Sequence, residues 1–295
     1  MAPTVMLLVA IAAALHVLWN VLVKTSLDKP AFAFLTSLSS FLMITPFYLA
    51  VRFSIAPMKT ELWGYAALSG LFEAAYTISL FQAYKEGDLS VVYPLSRGAA
   101  PLFTLLLGGV LLGDAMIITH GIAVAIVISG VLAVSFSTAA HTRSGLKRSG
   151  ILIAIFTGMM IAGYHLVDRA AMSHAHTPDP IEYLFAMHLF LVFFVALWVF
   201  IVGCRWRHIT DEWHANRRSV LIVGFCVPFA YLFIIVALKM GNVTHVAAAR
   251  NVGIVFSTAV GWLFLKETVT RLRAVGALFI ALGITGLVLF DKISY

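Results

Sequence analysis

The chain has 295 residues, of which 61% are hydrophobic and 11% charged, and its mean hydropathy is +0.98. This composition excludes a soluble globular domain and indicates a polytopic membrane protein. The formal net charge of +7 does not indicate nucleic-acid binding, because the basic residues are spread over short connections between apolar segments, as membrane topology requires.

The first apolar segment begins near the N-terminus and runs to Val23. A signal peptide would carry basic residues ahead of its apolar core, and none precede this one, so we expect a retained transmembrane helix. His16, Asn20 and Lys24 recur every four residues within it and would form one polar stripe, with Trp19 beside it. An asparagine in such a stripe is typical of an interhelical hydrogen bond.

Apolar stretches of about 20 residues, the length that crosses a bilayer core, occur ten times along the chain. Spans of this length must be helices, because a strand would be about half as long and would alternate in polarity. We therefore predict an all-α integral membrane protein with ten transmembrane helices at 4–24, 32–53, 62–84, 89–112, 116–137, 149–171, 181–203, 218–239, 243–265 and 271–290.

An internal repeat relates the two halves of the chain. Residues 83–114 align with 237–267 with a single one-residue gap, and a weaker match sets Trp19, Asn20 and Lys24 opposite Tyr164, His165 and Arg169. The aligned pairs include Ala83 with Ala237, Gly87 with Gly241, Arg97 with Arg250, Gly108 with Gly261, and Asp114 with Glu267. Since five helices is an odd number, the second copy is inverted in the membrane, as in many secondary transporters. We predict a first repeat at 1–139, a linker at 140–148 and a second repeat at 149–295.

The connections 24–31, 85–88, 138–148, 204–217 and 266–273 share one side of this topology and hold most of the lysine and arginine. The positive-inside rule places that side in the cytoplasm and both termini outside.

Arg97 and Arg250 are ionisable residues at bilayer depth, where a charge costs a few kcal/mol and by default faces a cavity or a partner. The two guanidinium groups would approach the midplane from opposite sides. Pro94 and Pro101 flank Arg97 and can kink its helix, and Tyr93 and Ser96 add hydrogen-bonding groups to that segment. Each arginine could instead extend to its own interface or pair with an acidic residue that locks two helices together.

Glu73 is a carboxyl group well inside the third helix, and Tyr76 lies one turn further along the same face. A carboxyl group at this depth suits a proton-coupled carrier, and the alternative is a structural ion pair with Arg97 or Arg250.

Other polar residues have simpler interpretations. Asp168 and Arg169 lie near the end of the sixth helix, where they could cap it or pair at the surface, while Glu182, His188 and His245 suit solvated or packing roles. Gly109 and Gly113 have the spacing of a close helix contact.

Motifs of hydrolases, metalloproteases and P-loop ATPases are missing from the sequence, and Cys204 and Cys226 lack metal-like spacing. We therefore expect no enzyme, no cofactor and no metal, and any transport to be driven by a gradient or by a partner.

The ten spans and the recurring pattern of Ala83, Gly87, Pro94, Arg97 and Asp114 with Ala237, Gly241, Arg250 and Glu267 resemble the EamA type of the drug/metabolite transporter superfamily. Segments 14–29, 83–101 and 249–267 are most similar to a bacterial branch described as associated with phosphonate utilisation. Residues 245–251, the counterpart of the segment around Pro94, lack a proline. The sequence therefore does not predict the same kink in both halves.

The resemblance implies a ten-helix carrier in the inner membrane that works by alternating access, with a cavity lined by helices 1, 3, 4, 6, 8 and 9. On this chain the substrate-binding residues would be Trp19, Asn20, Glu73, Tyr76, Tyr93, Arg97, His165, Tyr231, Arg250 and Asn251.

Arginine suits a carboxylate or phosphonate because its planar fork makes two parallel bonds. We therefore expect an exporter or exchanger of a small anionic or zwitterionic metabolite, with protons as a candidate coupling ion and the protein a monomer or weak dimer. The alternatives are an exporter of aromatic or cationic drugs, which cation–π contacts would favour, and a non-transporting membrane accessory protein.

Overall fold

A computed structural model describes residues 3–23, 26–86, 89–112, 118–139, 148–254 and 270–293. These residues form ten helices and no strand, which confirms the all-α prediction. The helices are α1 (Pro3–Val23), α2 (Lys29–Val51), α3 (Thr60–Glu86), α4 (Leu89–Leu112), α5 (Ile118–Ala139), α6 (Arg148–Met172), α7 (Pro180–Ile201), α8 (Trp206–Met240), α9 (Val243–Ala249) and α10 (Arg271–Ile293).

Four of the described helices, at 29–51, 149–172, 180–201 and 206–240, are long and apolar enough to cross a membrane by length and composition. Shorter apolar segments lie at 3–19, 96–111, 118–134 and 274–286. Most of the predicted ninth span, at 255–265, lies outside the described residues. Ten crossings therefore stay a prediction.

Two helices begin at acidic caps and carry a proline in the first turn, Pro30 in α2 and Pro180 in α7. Asp28 accepts a hydrogen bond from the Ala31 amide at 2.9 Å before α2, and Asp179 accepts one from the Ile181 amide at 2.8 Å before α7. Each carboxylate satisfies an amide that has no partner inside the helix, and a proline in the first turn has no amide to satisfy. The beginnings of α2 and α7 are thus fixed by local sequence.

The helix α8 differs from the sequence expectation, which treats 204–217 as a connection. The structure is helical from Trp206, with a kink at Asn216, where φ is −125° and ψ is 19°. Trp206 and Trp213 are exposed on the segment before the kink, as tryptophans at a membrane surface commonly are. Polar composition alone does not separate a loop from a helix that lies along an interface.

Helix contacts follow a regular exchange between the halves of the chain. α1 packs on α8 and α3 packs on α6, α2 packs on α8 and α3 packs on α7, and α4 packs on α6 while α1 contacts α9. If each helix is replaced by the one five places away in the other half, the contact between α1 and α8 becomes that between α6 and α3. The other two pairs of contacts are related in the same way. The contacts between α2 and α7 and between α5 and α10 convert into themselves.

The closest approach between α5 and α10 depends on glycine. A Cβ atom at Gly130 would lie 2.5 Å from the carbonyl oxygen of Gly276, and one at Gly276 would lie 2.7 Å from that of Gly130. Such small residues let helix backbones meet in membranes. The glycine pair predicted from sequence is not this one, since Gly109 is exposed on α4 and Gly113 lies outside the described residues.

We expect Gly130→Ala to separate α5 from α10, because the new methyl group meets backbone atoms that cannot rotate away. Overpacking of this kind costs about 1–3 kcal/mol. The melting temperature of the detergent-solubilised protein should fall by several degrees. Gly121→Ala in the same helix is the matched control, since a Cβ atom there meets nothing within 4 Å. Equal melting temperatures for the two variants would contradict this account.

Candidate functional site

A cavity of about 60 Å³ lies where the helices of the two halves meet. This volume has room for a few water molecules. Part of its wall is polar or aromatic, and the residues with such side chains are His16, Trp19, Thr36, Ser37, Ser40, Glu73, Tyr76, Thr77, Phe81, Tyr164, Tyr231 and Arg250. The wall thus combines one carboxyl group, one guanidinium group and several hydrogen-bonding neutral groups.

Arg250 enters the cavity among neutral partners. Its Nη1 donates to the Tyr164 hydroxyl at 3.3 Å and contacts Nε2 of His165, and its guanidinium carbon lies 5.7 Å from the centre of the Tyr231 ring. Among the described residues, no carboxylate lies within 4.0 Å of this guanidinium group. A charge that is withdrawn from water is normally paired, so Arg250, which is half-buried, is equipped to meet an anion that enters the cavity.

The backbone is irregular where Arg250 is placed. The helix α9 ends at Ala249. The Arg250 amide still bonds four residues back, to Val246 at 3.1 Å, but the amides of Asn251 and Gly253 bond to the third residue back, Ala248 at 3.0 Å and Arg250 at 3.2 Å. A break therefore occurs here without the proline that the corresponding segment of the first half carries. Non-helical backbone at membrane depth is tolerated where it lines a cavity or is buried in protein.

Asn251 follows this break and is buried beside it, with neither side-chain amide atom hydrogen-bonded to any described residue. An unsatisfied buried amide is costly. It is therefore a candidate to bind a solute or water.

Glu73 and Tyr76 both face the cavity from α3, as their spacing predicts. Glu73 is buried, and its Oε2 atom has no hydrogen-bond partner within the described part of the chain. It forms an ion pair with neither Arg97 nor Arg250. The structure therefore lacks the ion pair between Glu73 and either arginine that was the alternative to a role in proton coupling.

Asp168 corrects the sequence interpretation. A helix cap or a surface pair is expected there, but Asp168 is completely buried and accepts hydrogen bonds from the hydroxyls of Tyr183, at 2.7 Å, and Tyr231. Asp168 lies one helical turn after Tyr164, a wall residue on α6, and this part of α6 is still inside the helix bundle. Arg169 points elsewhere and donates to the Leu238 carbonyl at 2.7 Å, near the end of α8. Asp168 thus holds Tyr231, a wall residue, in position.

Arg97 is buried and contacts Nε2 of His16, whose Nδ1 accepts a hydrogen bond from the Trp19 indole at 2.9 Å. His16 and Trp19 line the cavity, whereas Arg97 lies behind them. An arginine thus contacts a histidine in each half of the chain. Arg97 on α4 contacts His16 on α1, and Arg250, just after α9, contacts His165 on α6.

The predicted site residues therefore fall into three groups. Trp19, Glu73, Tyr76, Tyr231 and Arg250 line the cavity. A second group, Arg97, His165 and Asn251, is buried close to it. The side chains of Asn20 and Tyr93 lie outside what the structure describes.

Sequence reasoning missed the contribution of α2. Thr36, Ser37 and Ser40 line the cavity, although the resemblance implied no wall from the second helix. Thr36 also donates to the Phe32 carbonyl at 2.8 Å. Hydroxyls that bond to their own helix cost little in an apolar span, so such a stretch gives no strong signal. The only sequence hint was their clustering within one turn.

The model of the EamA-like transporter family matches residues 3–136 and 148–289. The pseudopaline exporter CntI, from two strains of Pseudomonas aeruginosa, is 25% identical over 284 residues, which are 94% of this chain and 93% of the exporter. A crystal structure superimposes with a TM-score of 0.72 at 18% identity, covering 96% of this chain and 98% of the other. That last likeness concerns the fold alone.

Proposed function

Because the chain belongs to the EamA-like transporter family, and is therefore a multi-pass inner-membrane protein, we propose that it is a transporter rather than an enzyme and that it exports or exchanges a small anionic or zwitterionic metabolite. Transport would proceed by alternating access, in which the central cavity opens to one side of the membrane at a time.

The observation that carries this proposal is Arg250. Its guanidinium group reaches the cavity with a phenol, an imidazole and an aromatic face as partners, and with no carboxylate within 4.0 Å among the described residues. A carboxylate or phosphonate would supply the missing negative charge through two parallel hydrogen bonds. The same arginine would repel a simple cation.

Glu73 supports the zwitterionic form of the proposal. It lines the same cavity as Arg250 and has a free carboxylate oxygen among the described residues. A solute with an amine near its acidic group would place the amine towards Glu73 and the acid towards Arg250. Asn251 and the hydroxyls of α2 would serve as neutral hydrogen-bonding groups around the remainder.

Two observations support the arrangement as inverted repeats at 1–139 and 149–295. The family model matches once in each half of the chain, and the helix contacts exchange when five is added to or subtracted from each helix number. A two-fold relation between the halves accounts for that exchange. Around the cavity, α1 is then equivalent to α6 and α3 is equivalent to α8.

The cavity volume supports a conformational step. About 60 Å³ is well below the roughly 300–1,000 Å³ of pockets that hold drug-sized ligands. Helices must therefore separate before a metabolite enters, and the irregular backbone at Arg250 and Asn251 is a place where such a movement could begin. The exporter relative supports the outward direction.

The proposal is tested by ligand competition on purified protein. Amino acids, phosphonates, organic phosphates and drug cations are screened by thermal shift, since a ligand of the folded state raises its melting temperature. Hits are then followed as counterflow in proteoliposomes. We expect anions or zwitterions to stabilise the protein and to compete with one another. Stabilisation by hydrophobic cations alone would instead favour a drug exporter.

That drug alternative rests on the aromatic part of the wall. Trp19, Tyr76, Tyr164 and Tyr231 all line the cavity, and cations bind to such faces. Arg250 already occupies the Tyr231 face at 5.7 Å, which leaves the anionic solute as the better match. If no solute stabilises the protein or exchanges across the vesicle membrane, the accessory interpretation gains instead.

We further propose protons as the coupling ion, with Glu73 as the carrier. Glu73→Gln keeps the size and hydrogen-bonding shape of the side chain but cannot gain or lose a proton, so the pH dependence of transport should flatten. Transport is measured in proteoliposomes over a range of external pH. Glu61→Gln on the same helix is the control, because that side chain is 55% exposed. A wild-type pH profile in Glu73→Gln would remove Glu73 from coupling.

A further inference from the structure

A second cluster of chemically active side chains lies away from the cavity, where the α1–α2 connection meets the start of α8. One donor atom each from Asp28, Cys204 and His208 lies within 4.8 Å of the other two. His208 Nδ1 is 3.3 Å from Asp28 Oδ2, and both side chains are partly exposed, at 48% and 32%. Cys204 is a free thiol of intermediate exposure.

These three ligand types together are those of a borderline transition metal. Zinc takes sulfur, imidazole nitrogen and carboxylate oxygen in a tetrahedral arrangement, with bonds of about 2.0–2.3 Å. The edges of such a tetrahedron are about 3.3–3.8 Å long, so the donor atoms must approach by about 1 Å. Magnesium and calcium prefer oxygen alone.

The surrounding structure holds the donors in place. Glu212 is buried and its Oε2 accepts hydrogen bonds from the amides of Leu27 at 2.9 Å and Asp28 at 2.6 Å. These bonds fasten the α1–α2 connection to the first turns of α8. Cys204 and His208 are four residues apart on the same stretch of chain, and so approach Asp28 as a pair.

The two oxygens of Asp28 have separate tasks. Oδ1 accepts from the Ala31 amide at 2.9 Å and caps α2, whereas Oδ2 faces His208. One carboxylate oxygen is thus available without loss of the helix cap. Arg207, which precedes His208 in the chain, is directed towards Asp211, with its Nε 3.7 Å from Asp211 Oδ2.

We propose that Asp28, Cys204 and His208 bind one divalent transition-metal ion, with zinc as the best match, and that water completes its coordination. The ion joins a residue of the first half of the chain to two residues of the second half. It therefore stabilises the assembly of α1, α2, α7 and α8, independently of the solute cavity.

The experiment uses the full-length protein in detergent after treatment with a chelator and a reductant. Zinc binding is measured by competition with a chromophoric chelator, and cobalt is added as a spectroscopic substitute. We expect one zinc per chain, a rise in melting temperature with zinc but not with magnesium, and a sulfur-to-cobalt charge-transfer band in the near ultraviolet. The band reports cysteine ligation directly.

Three variants and two controls make the test specific. Cys204→Ser, His208→Gln and Asp28→Asn should each weaken zinc binding at least tenfold, and Cys204→Ser should abolish the cobalt band. Asn retains the capping oxygen at position 28, so its effect is not one of helix stability. Cys226→Ser and His214→Gln should bind zinc as the wild type does. Absence of zinc binding, or equal binding by wild type and Cys204→Ser, would overturn the proposal.

Discussion

Replacement of Arg250 by alanine is expected to lower solute affinity roughly 30-fold or more, because truncating one partner of a buried charge pair costs about 2–5 kcal/mol. The free protein should be no less stable, since the variant also removes a half-buried charge that has no carboxylate within 4.0 Å among the described residues. Affinity is measured by thermal shift with the best solute from the screen and confirmed by counterflow.

Arg250→Lys refines this prediction. Lysine keeps the positive charge but loses the planar fork, so we expect affinity between those of wild type and Arg250→Ala. Arg217→Ala, which removes an exposed arginine on α8, should leave affinity unchanged. If Arg250→Ala lost melting temperature and kept its affinity, the guanidinium group would be structural.

Replacement of Asp168 by alanine is expected to reduce both stability and transport. The change leaves the hydroxyls of Tyr183 and Tyr231 without their acceptor. Hydrogen bonds within membrane proteins average about 0.6 kcal/mol with a maximum near 1.7, so two bonds correspond to about 1–3 kcal/mol. Transport should fall further than stability alone implies, because Tyr231 also supports Arg250.

The tyrosine variants separate these two effects. Tyr183→Phe and Tyr231→Phe each remove one of the hydrogen bonds, and their melting temperatures should lie between those of wild type and Asp168→Ala. Only Tyr231→Phe should also lower transport, since Tyr231 lines the cavity and Tyr183 is not part of its wall. Wild-type melting temperature in Asp168→Ala would show that the network does not stabilise the fold.

Most helix positions follow from sequence because a membrane core demands long apolar helices. The predicted spans 32–53, 89–112 and 149–171 agree with α2, α4 and α6 within a few residues. The predictions are poorer where an apolar pattern is absent or the backbone departs from a helix. The early start of α8 and the end of α9 at Ala249 are such cases.

The candidate site was predictable where a charge stood out against an apolar background. Arg250, Glu73 and the aromatic residues near them attract attention for this reason, and they do line the cavity. The order of importance was not predictable, since Arg97 has the prolines but lies behind His16, while Arg250 reaches the cavity. Which of two matched arginines faces inward depends on helix rotation, which a single sequence does not specify.

Asp168 shows the opposite failure. Its neighbour Arg169 and its place near the predicted end of a helix suggested a cap or a surface pair, yet its two tyrosine partners come from other helices, Tyr183 on α7 and Tyr231 on α8, 15 and 63 residues further along the chain. Burial of a polar group depends on such distant partners, and α2 gives the same lesson through Thr36 and its neighbours.

The small volume of the central cavity also bears on what the protein does while it waits for its solute. A continuous file of water across the bilayer would let protons leak down their gradient, and about 60 Å³ holds only a short segment of such a file. We therefore expect vesicles that contain the empty protein to retain a pH gradient as well as protein-free vesicles do. A cell can then keep this transporter in its membrane between bursts of demand without draining its proton-motive force.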